Sequence, residues 1–412
     1  MVRMQASPYP MVSVEDALEA ILSHTPVLDP EEVDIDHALG RVLAETVIAS
    51  DDMPPFDASA VDGYAVIAAD GAQPRRVLSE ITAGRADELV VEPGTAMRIM
   101  TGAPVPAGAD AVVMVEQTTE SDGVVTLESV PRPGDSVHRR GQDVFIGQDV
   151  LSPGTVLGAA EIGLLATVGR TRVRVYRRPV VAVLSTGDEL IEPDQTLRPG
   201  SIRDSNRYAL LASVREAGGE PISLGRVRDD EAEQEALIRA GLRRADVVLT
   251  SGGVSVGSRD LIKPILRRIG TIHFGRISFK PGKPTTFATV DGKLVFGLPG
   301  FPVSSLVSFE VFVRPSLRKM QGHQRVQRPM IRVGLEHPIN PSPDRVEFQR
   351  AIVRWHDGRL VARSTGSQRS SRLLSLAGAN ALLRIAPGTE PIPAGGQTDA
   401  LLVGEVVSGD DG

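Results

Sequence analysis

Between residues 179 and 321 the chain repeats one pattern: a short run of Val, Leu and Ile, then a longer amphipathic stretch. VVAVLS (180–185) precedes a helical spacing near 204–218, PISLGRV (221–227) one at 230–244, and DVVLTS (246–251) one at 258–269. TIHFGRI (271–277), TTFATV (285–290) and LVFGL (294–298) come next, and a helical spacing at 302–320 ends the region. Strands that are apolar throughout need cover on both faces, and a helical crossover joins strands that run parallel. The expected class is α/β, multidomain, with a central doubly wound parallel-type sheet over residues 179–327. In such sheets ligands bind beyond the carboxyl ends of the strands.

The flanks carry other patterns. VEDALEAILS (14–23) has apolar residues at 14, 17, 18, 21 and 22, one helical face, with Ser13 placed to cap it. Asp51 to Tyr64 is Pro-, Asp- and Ala-rich with no period and reads as a loop, and Val66 to His138 has short alternating runs broken by Gly and Pro, so 51–138 is expected to be a small β-rich domain. Residues 328–412 hold five short strands spaced by turns, which predict a C-terminal β-barrel. Residues 1–50 and 139–178 are grouped as a discontinuous N-terminal mixed α/β domain. A chain of 412 residues is long enough for these four domains.

The segments leaving the central strands are chemically distinctive. Thr186-Gly187-Asp188-Glu189 succeeds the first, Arg228-Asp229-Asp230 the second, Ser251 to Asp260 the third, and Leu298-Pro299-Gly300-Phe301-Pro302 the last. The Gly/Ser loop 251–257 reads either as a tight strand–helix turn or as a phosphate cradle; Ser258-Arg259 stands where a Walker A loop needs Lys-Ser/Thr. Asp229 and Asp260 read singly as helix caps. Asp188, Glu189, Asp229 and Asp260 together beside a phosphate call for a cation, and oxygen donors without Cys or His point to Mg²⁺.

Composition sharpens this. There are no cysteines, which removes disulfides, thiolate nucleophiles and Cys-ligated metals. The net charge of -7 argues against a nucleic-acid or anionic-membrane partner. No apolar run reaches the roughly 18 residues of a membrane helix, and Met1 to Met11 lacks a signal-peptide core, so a cytoplasmic protein is expected. Only five of the 45 basic residues are lysines: Lys263, Lys280, Lys283, Lys293 and Lys319. Two of them sit in Lys280-Pro281-Gly282-Lys283-Pro284, which reads either as chance clustering on a solvated loop or as a place that needs compact ammonium groups with mobile donors, and not planar forks, for an oxyanion.

FDASAVDGYA (56–65), RIMTGAPVP (98–106), RRGQD (139–143), STGDEL (185–190), SGGVSVG (251–257), KPGKP (280–284) and LPGFPVS (298–304) resemble the MoeA-type molybdopterin molybdenumtransferases, also represented by the E domain of gephyrin. The resemblance runs in order from about residue 12 to the C-terminus. It implies an enzyme that inserts molybdate into adenylylated molybdopterin, releasing AMP and molybdenum cofactor, with Mg²⁺. It makes residues 179–327 the molybdopterin-binding domain and the discontinuous N-terminal domain the dimerisation domain of a homodimer with its site at the dimer interface. Carried over by position, Asp62, Glu189, Asp260, Lys280 and Lys283 are the catalytic candidates. Thr101, Asp143, Asp229, Ser251, Gly252, Gly253, Ser255, Gly257, Pro299 and Pro302 are substrate-binding candidates. Asp188, Glu189 and Asp260 would hold the metal; Lys280, Lys283, Arg350 and Ser370 would hold molybdate or, equally by shape and charge, tungstate. The small β-rich module bearing Asp62 and Thr101 is expected to complete the partner's site. The chain departs from the family pattern at Phe301 and Ala58, where Asn is usual, and at Gln142, where Glu is usual. A gephyrin-like non-catalytic scaffold and a molybdopterin adenylyltransferase are the alternative readings; the segments flanking 179–327 argue against the second.

Overall fold

A computed structural model of the chain describes residues 9–82, 84, 90–254 and 261–408. The chain forms two compact units, residues 32–175 and the remainder.

The larger unit begins with α1 (Val14–His24), where Ser13 accepts the Asp16 N–H as foreseen. Its sheet uses β1 (Val180–Thr186), β2 (Glu220–Val227), β3 (Val247–Ser251), β4 (Thr271–Phe274), β6 (Thr286–Val290) and β7 (Lys293–Leu298); β5 (Phe279–Lys280) joins a different sheet. The crossovers are α2 (Ser205–Glu216), α3 (Glu231–Arg244) and α4 (Ile262–Ile269). Strand order is β2-β1-β3-β7-β6-β4. β2, β1, β3 and β7 are parallel, as the apolar runs require, whereas β6 is antiparallel to β7 and to β4. The sheet is therefore mixed. The cause is local: Asp291-Gly292, with φ 48° and 77°, makes a two-residue hairpin between β6 and β7.

Both faces are covered. One core joins Val181, Val183, Leu249 and Phe296 to α1, α2 and the helical segment after residue 302; the other joins Ala182, Leu184, Val248 and Val295 to α3 and α4. α1 buries Val14, Ala17 and Ile21 in the first of these cores and belongs to the larger unit. The expected helix at 302–320 is continuous but uneven: α5 (Pro302–Ser308), a π-helical turn (Phe309–Val313) and α6 (Arg314–Met320). Pro315 has no N–H to return to residue 311, and the wider turn absorbs the missing bond.

The C-terminal strands are β8 (Met330–Leu335), β9 (Val346–His356), β10 (Arg359–Ser364), β11 (Ala381–Ile385) and β12 (Gln397–Leu402). Their order β9-β10-β8-β12-β11 closes on itself through β9–β11, a five-stranded barrel, and β5 adds to β9.

In the unit of residues 32–175 the six-stranded sheet runs Ala111–Met114, Gly63–Val66, Thr95–Ile99, Arg75–Ile81, Val124–Leu127 and Thr118–Ser121. It also holds the helix Ala159–Thr167 and short ribbons. Among the described residues no helix is long and apolar enough to cross a membrane.

Candidate functional site

The parallel strands deliver their carboxyl ends to one edge, and the segments leaving them enclose a cavity of about 430 Å³. Thr186, Gly187 and Glu189 come from β1, Asp229 from β2, residues 251–254 from β3 and residues 299–302 from β7; residues 203–206 and Pro284 complete the wall.

Glycine is required where the backbone turns against the site. Gly252 and Gly253 have φ of 97° and 65°, and a Cβ on Gly252 would lie 2.5 Å from the Thr186 carbonyl oxygen. The Gly252 N–H donates to the Leu298 carbonyl (3.1 Å). Asn206 Nδ2 donates to Ser251 Oγ (2.8 Å) and to the Gly300 carbonyl (2.7 Å), tying the turns after β3 and β7 together. A Cβ on Gly187 would lie 2.5 Å from the Glu189 carboxylate, so this glycine lets the acid fold back along the wall.

The acids differ in their commitments. Asp188 Oδ1 accepts the Asp229 N–H (3.2 Å), which links the first two strand ends. Glu189 is exposed and lines the cavity. Asp204 is not free: it accepts from Ser185 Oγ (3.0 Å) and from the Arg207 backbone and guanidinium. Ser255, Gly257 and Asp260 lie outside the described residues. Among the described residues no three acidic or His side chains gather as a metal site. Arg203 is the cavity's one cationic lining residue among those described; its guanidinium donates to the Gln195 carbonyl (3.4 Å).

The scarce lysines separate by role. Lys263, Lys293 and Lys319 donate to the carbonyls of Val254 (2.9 Å), Leu242 and Leu22 (2.7 Å), which ties down turns. Lys280 pairs with the nearly buried Glu347 at 3.1 Å, brought there by the β5–β9 pairing. Lys283 immediately precedes the cavity residue Pro284, and among the described residues its ammonium makes no hydrogen bond or ion pair.

Arg350, three residues after Glu347 on β9, is 1% exposed. Its partners are neutral: Ser375 Oγ (3.0 Å) and the carbonyls of Ser367 (3.4 Å) and Arg369 (3.3 Å). Burial pulls its pKa down to about 10, so it stays cationic at neutral pH. The Ser370 carbonyl accepts the Val303 N–H (3.1 Å), which brings the 367–370 segment against the start of α5 beside the cavity residue Pro302. The hydroxyl bonded to Arg350 is that of Ser375, which sequence reading missed.

Asp62, Thr101 and Asp143 belong to the other unit. Asp62 Oδ1 accepts both the Thr101 N–H (2.6 Å) and Oγ (2.8 Å), and these bonds hold its carboxyl below the usual range. In the RRGQD segment, Arg139 pairs with Asp57 and Arg140 with Asp52, each at 2.6 Å. Gln142 Oε1 accepts the Arg139 N–H (3.0 Å). The Asp143 N–H donates to the Met53 carbonyl (2.9 Å). Arg203 and Asn206 were also missed; the polar run Arg203-Asp204-Ser205-Asn206 at the start of α2 was the available signal.

Three family models match: the MoeA N-terminal region (domain I and II) over 12–169, a probable molybdopterin binding domain over 182–319, and the MoeA C-terminal region (domain IV) over 332–403. A molybdopterin molybdenumtransferase from Nostoc sp. is 39% identical, covering 94% of this chain and 93% of that one. Molybdopterin molybdenumtransferase 2 from Mycobacterium tuberculosis is 38% identical, covering 94% and 98%. Gephyrin from Dictyostelium discoideum is 35% identical over 98% of this chain; the chain spans 64% of that protein. Among solved structures, a molybdopterin biosynthesis MoeA protein from Pyrococcus horikosii superposes with TM-score 0.82 at 33% identity, covering 96% of this chain and 100% of that one.

Proposed function

The chain belongs to the MoeA family of molybdopterin molybdenumtransferases, and from that premise we propose how its own residues carry the transfer. Molybdenum from molybdate enters adenylylated molybdopterin, the phosphoanhydride bond to AMP is hydrolysed, and molybdenum cofactor and AMP leave. The observation that carries the reading is the 430 Å³ cavity at the carboxyl edge of the parallel strands, with its paired glycines and flanking acids.

The turn at Gly252 and Gly253 brings backbone close enough for a phosphate to rest against it, and Arg203 supplies charge. Asp188 and Glu189 are hard oxygen donors, adjacent and exposed at the same edge, with no His in the cavity wall, and they fit Mg²⁺. They would hold it together with Asp260. Mg²⁺, when bound, neutralises phosphate charge and favours departure of AMP. Lys280, Lys283 and Arg350, with Ser370, hold the molybdate dianion; Lys283, unpartnered among the described residues, and the buried Arg350, hydrogen-bonded there only to neutral groups, have charge to give. Asp229, Ser251, Pro299 and Pro302 shape the pocket. The Thr101-fixed Asp62 belongs to the same proposal, as do a homodimer and a cytoplasmic setting.

Lys283→Ala tests it. AMP release on adding molybdate should fall roughly ten- to hundredfold, the worth of one charge-assisted contact. Release at the wild-type rate would remove Lys283 from the oxyanion site.

A further inference from the structure

Phe301 is out of keeping with the other phenylalanines of its unit. Phe274, Phe279, Phe287, Phe296, Phe309 and Phe312 are buried in one core. Phe301 is 59% exposed, belongs to no core cluster, and is the one aromatic residue in the described wall of the cavity. A lone apolar ring exposed on a convex surface needs no explanation, whereas apolar side chains gathered in a concave wall mark a ligand site. Here the ring stands in a concave wall that also carries Leu190 and Ile202, the latter 55% exposed. Phosphate, metal and oxyanion groups have no use for such surface; a flat heterocycle does.

The backbone beneath the ring is fixed. The Gly300 carbonyl accepts from Asn206 Nδ2 (2.7 Å), and the Phe301 carbonyl accepts the Ser305 N–H (3.0 Å). Pro302 comes at once after it, and φ and ψ of Phe301 are -69° and 131°, an unstrained extended conformation. A ring on so constrained a turn loses little freedom when a ligand covers it, which is what a stacking surface requires.

We propose that Phe301 is a specificity-determining residue whose ring stacks on the planar nitrogen heterocycle of the substrate, purine or pterin. The proposal rests on the reading that this cavity takes adenylylated molybdopterin.

The test uses the full chain, in which Trp355 is the single tryptophan. Phe301→Trp combined with Trp355→Phe places one indole at the site. Its fluorescence is titrated with AMP and, separately, with molybdopterin lacking the nucleotide. Quenching by AMP assigns the stack to the purine; quenching by molybdopterin alone assigns it to the pterin; both outcomes support the proposal. Phe301→Ala should weaken binding of the quenching probe about tenfold, with Phe301→Tyr restoring it, the usual worth of one base stacked on an aromatic ring. The thermal midpoint of Phe301→Ala should match wild type, because the ring supports no core. Absence of quenching by both probes, or wild-type affinity in Phe301→Ala, overturns the stack. If wild type then still releases AMP on adding molybdate, the proposed function stands without it. If wild type binds neither probe and releases no AMP, the function falls and the stack with it.

Discussion

Arg207 and Arg350 are both buried, at 8% and 1% exposure, yet their surroundings differ in kind. Arg207 meets two carboxylates, Asp204 at 2.9 Å and Glu192 at 2.5 Å, so its charge is neutralised within the fold. Arg350 meets a hydroxyl and two carbonyls, and among the described residues no carboxylate lies within ion-pair distance. Glu347 acts on it through space but is paired with Lys280; a buried cation with no ion pair of its own costs stability, and a bound dianion would offset that cost. His323 shows the opposite solution, a buried group kept neutral. It is 6% exposed, and burial, with Arg318 and Arg314 nearby, lowers its pKa from 6.5 to about 4. The unfolded chain therefore takes up this proton at higher pH than the folded chain, and stability falls as pH drops from about 6.5 toward 4. Between pH 7 and pH 5 this one group should cost wild type about 2 kcal/mol. Urea unfolding of His323→Gln at both pH values should show that much less loss. An equal loss in variant and wild type would show that His323 is protonated in the native state. At this scale the lysine pair stands out in the sequence because lysine is rare here, whereas Arg350 enters only through the family resemblance. Ser375 was not legible, because its hydrogen bond reaches Arg350, 25 residues away; the polar run at 203–206 marks Asn206 but not its partners 45 and 94 residues away.

The order and type of the central elements come from periodicity, and where periodicity was insufficient the cause is a specific dipeptide or residue. The run 285–298 was read as two more strands of a parallel-type sheet, yet Asp291-Gly292 is a hairpin signal and the two strands pair antiparallel. Pro315 likewise hides in a good amphipathic helix until the π turn reveals what the missing N–H demands. The start of β3 depends on one acid. Asp246 accepts both terminal nitrogens of Arg177, at 2.8 and 2.7 Å, and the Val180 N–H at 2.8 Å, so it binds the segment entering β1 to the beginning of β3. Burial acts to raise its pKa, but the bonds from Arg177 and Val180 outweigh it and the net shift is downward. A lowered carboxyl pKa contributes stability that is present above about 3.8 and is lost as pH falls below it. Asp246→Ala should cost about 2–3 kcal/mol at pH 7, since it strands a half-buried guanidinium and a backbone donor. Urea midpoints of variant and wild type measure this. A change under about 0.5 kcal/mol, the size of an exposed ion pair, would mean that solvent already carries the Arg177 charge.

Among the described residues each apolar cluster stays inside one unit. Ala38, Leu43, Leu165 and Val175 share a core wholly within residues 32–175, as do the two clusters around Tyr64 and Met97. The three remaining clusters draw only on residues outside that span. The chain enters and leaves the 32–175 unit through neighbouring strands: Pro30–Asp34 pairs with Arg172–Tyr176, and Arg172 bridges Glu32 (3.0 Å) and Asp34 (3.2 Å). A segment with its own cores and adjacent ends has what independent folding needs, and its length lies in the usual domain range. The sequence reading draws a domain boundary at 178/179, where the strand and helix spacing changes, and the compact units divide at 175/176. The units also divide at 31/32, and an apolar stripe such as Val14, Ala17 and Ile21 shows that a helix is buried but not which core receives it. Residues 30–177 expressed alone should therefore give one cooperative urea transition and a β-type far-ultraviolet dichroism. Removing α1 with residues 9–25 should instead damage the larger unit, by opening the core that Val14, Ala17 and Ile21 share with Phe287 and Leu317. A gradual, non-cooperative transition for residues 30–177 would mean that their cores depend on the rest of the chain.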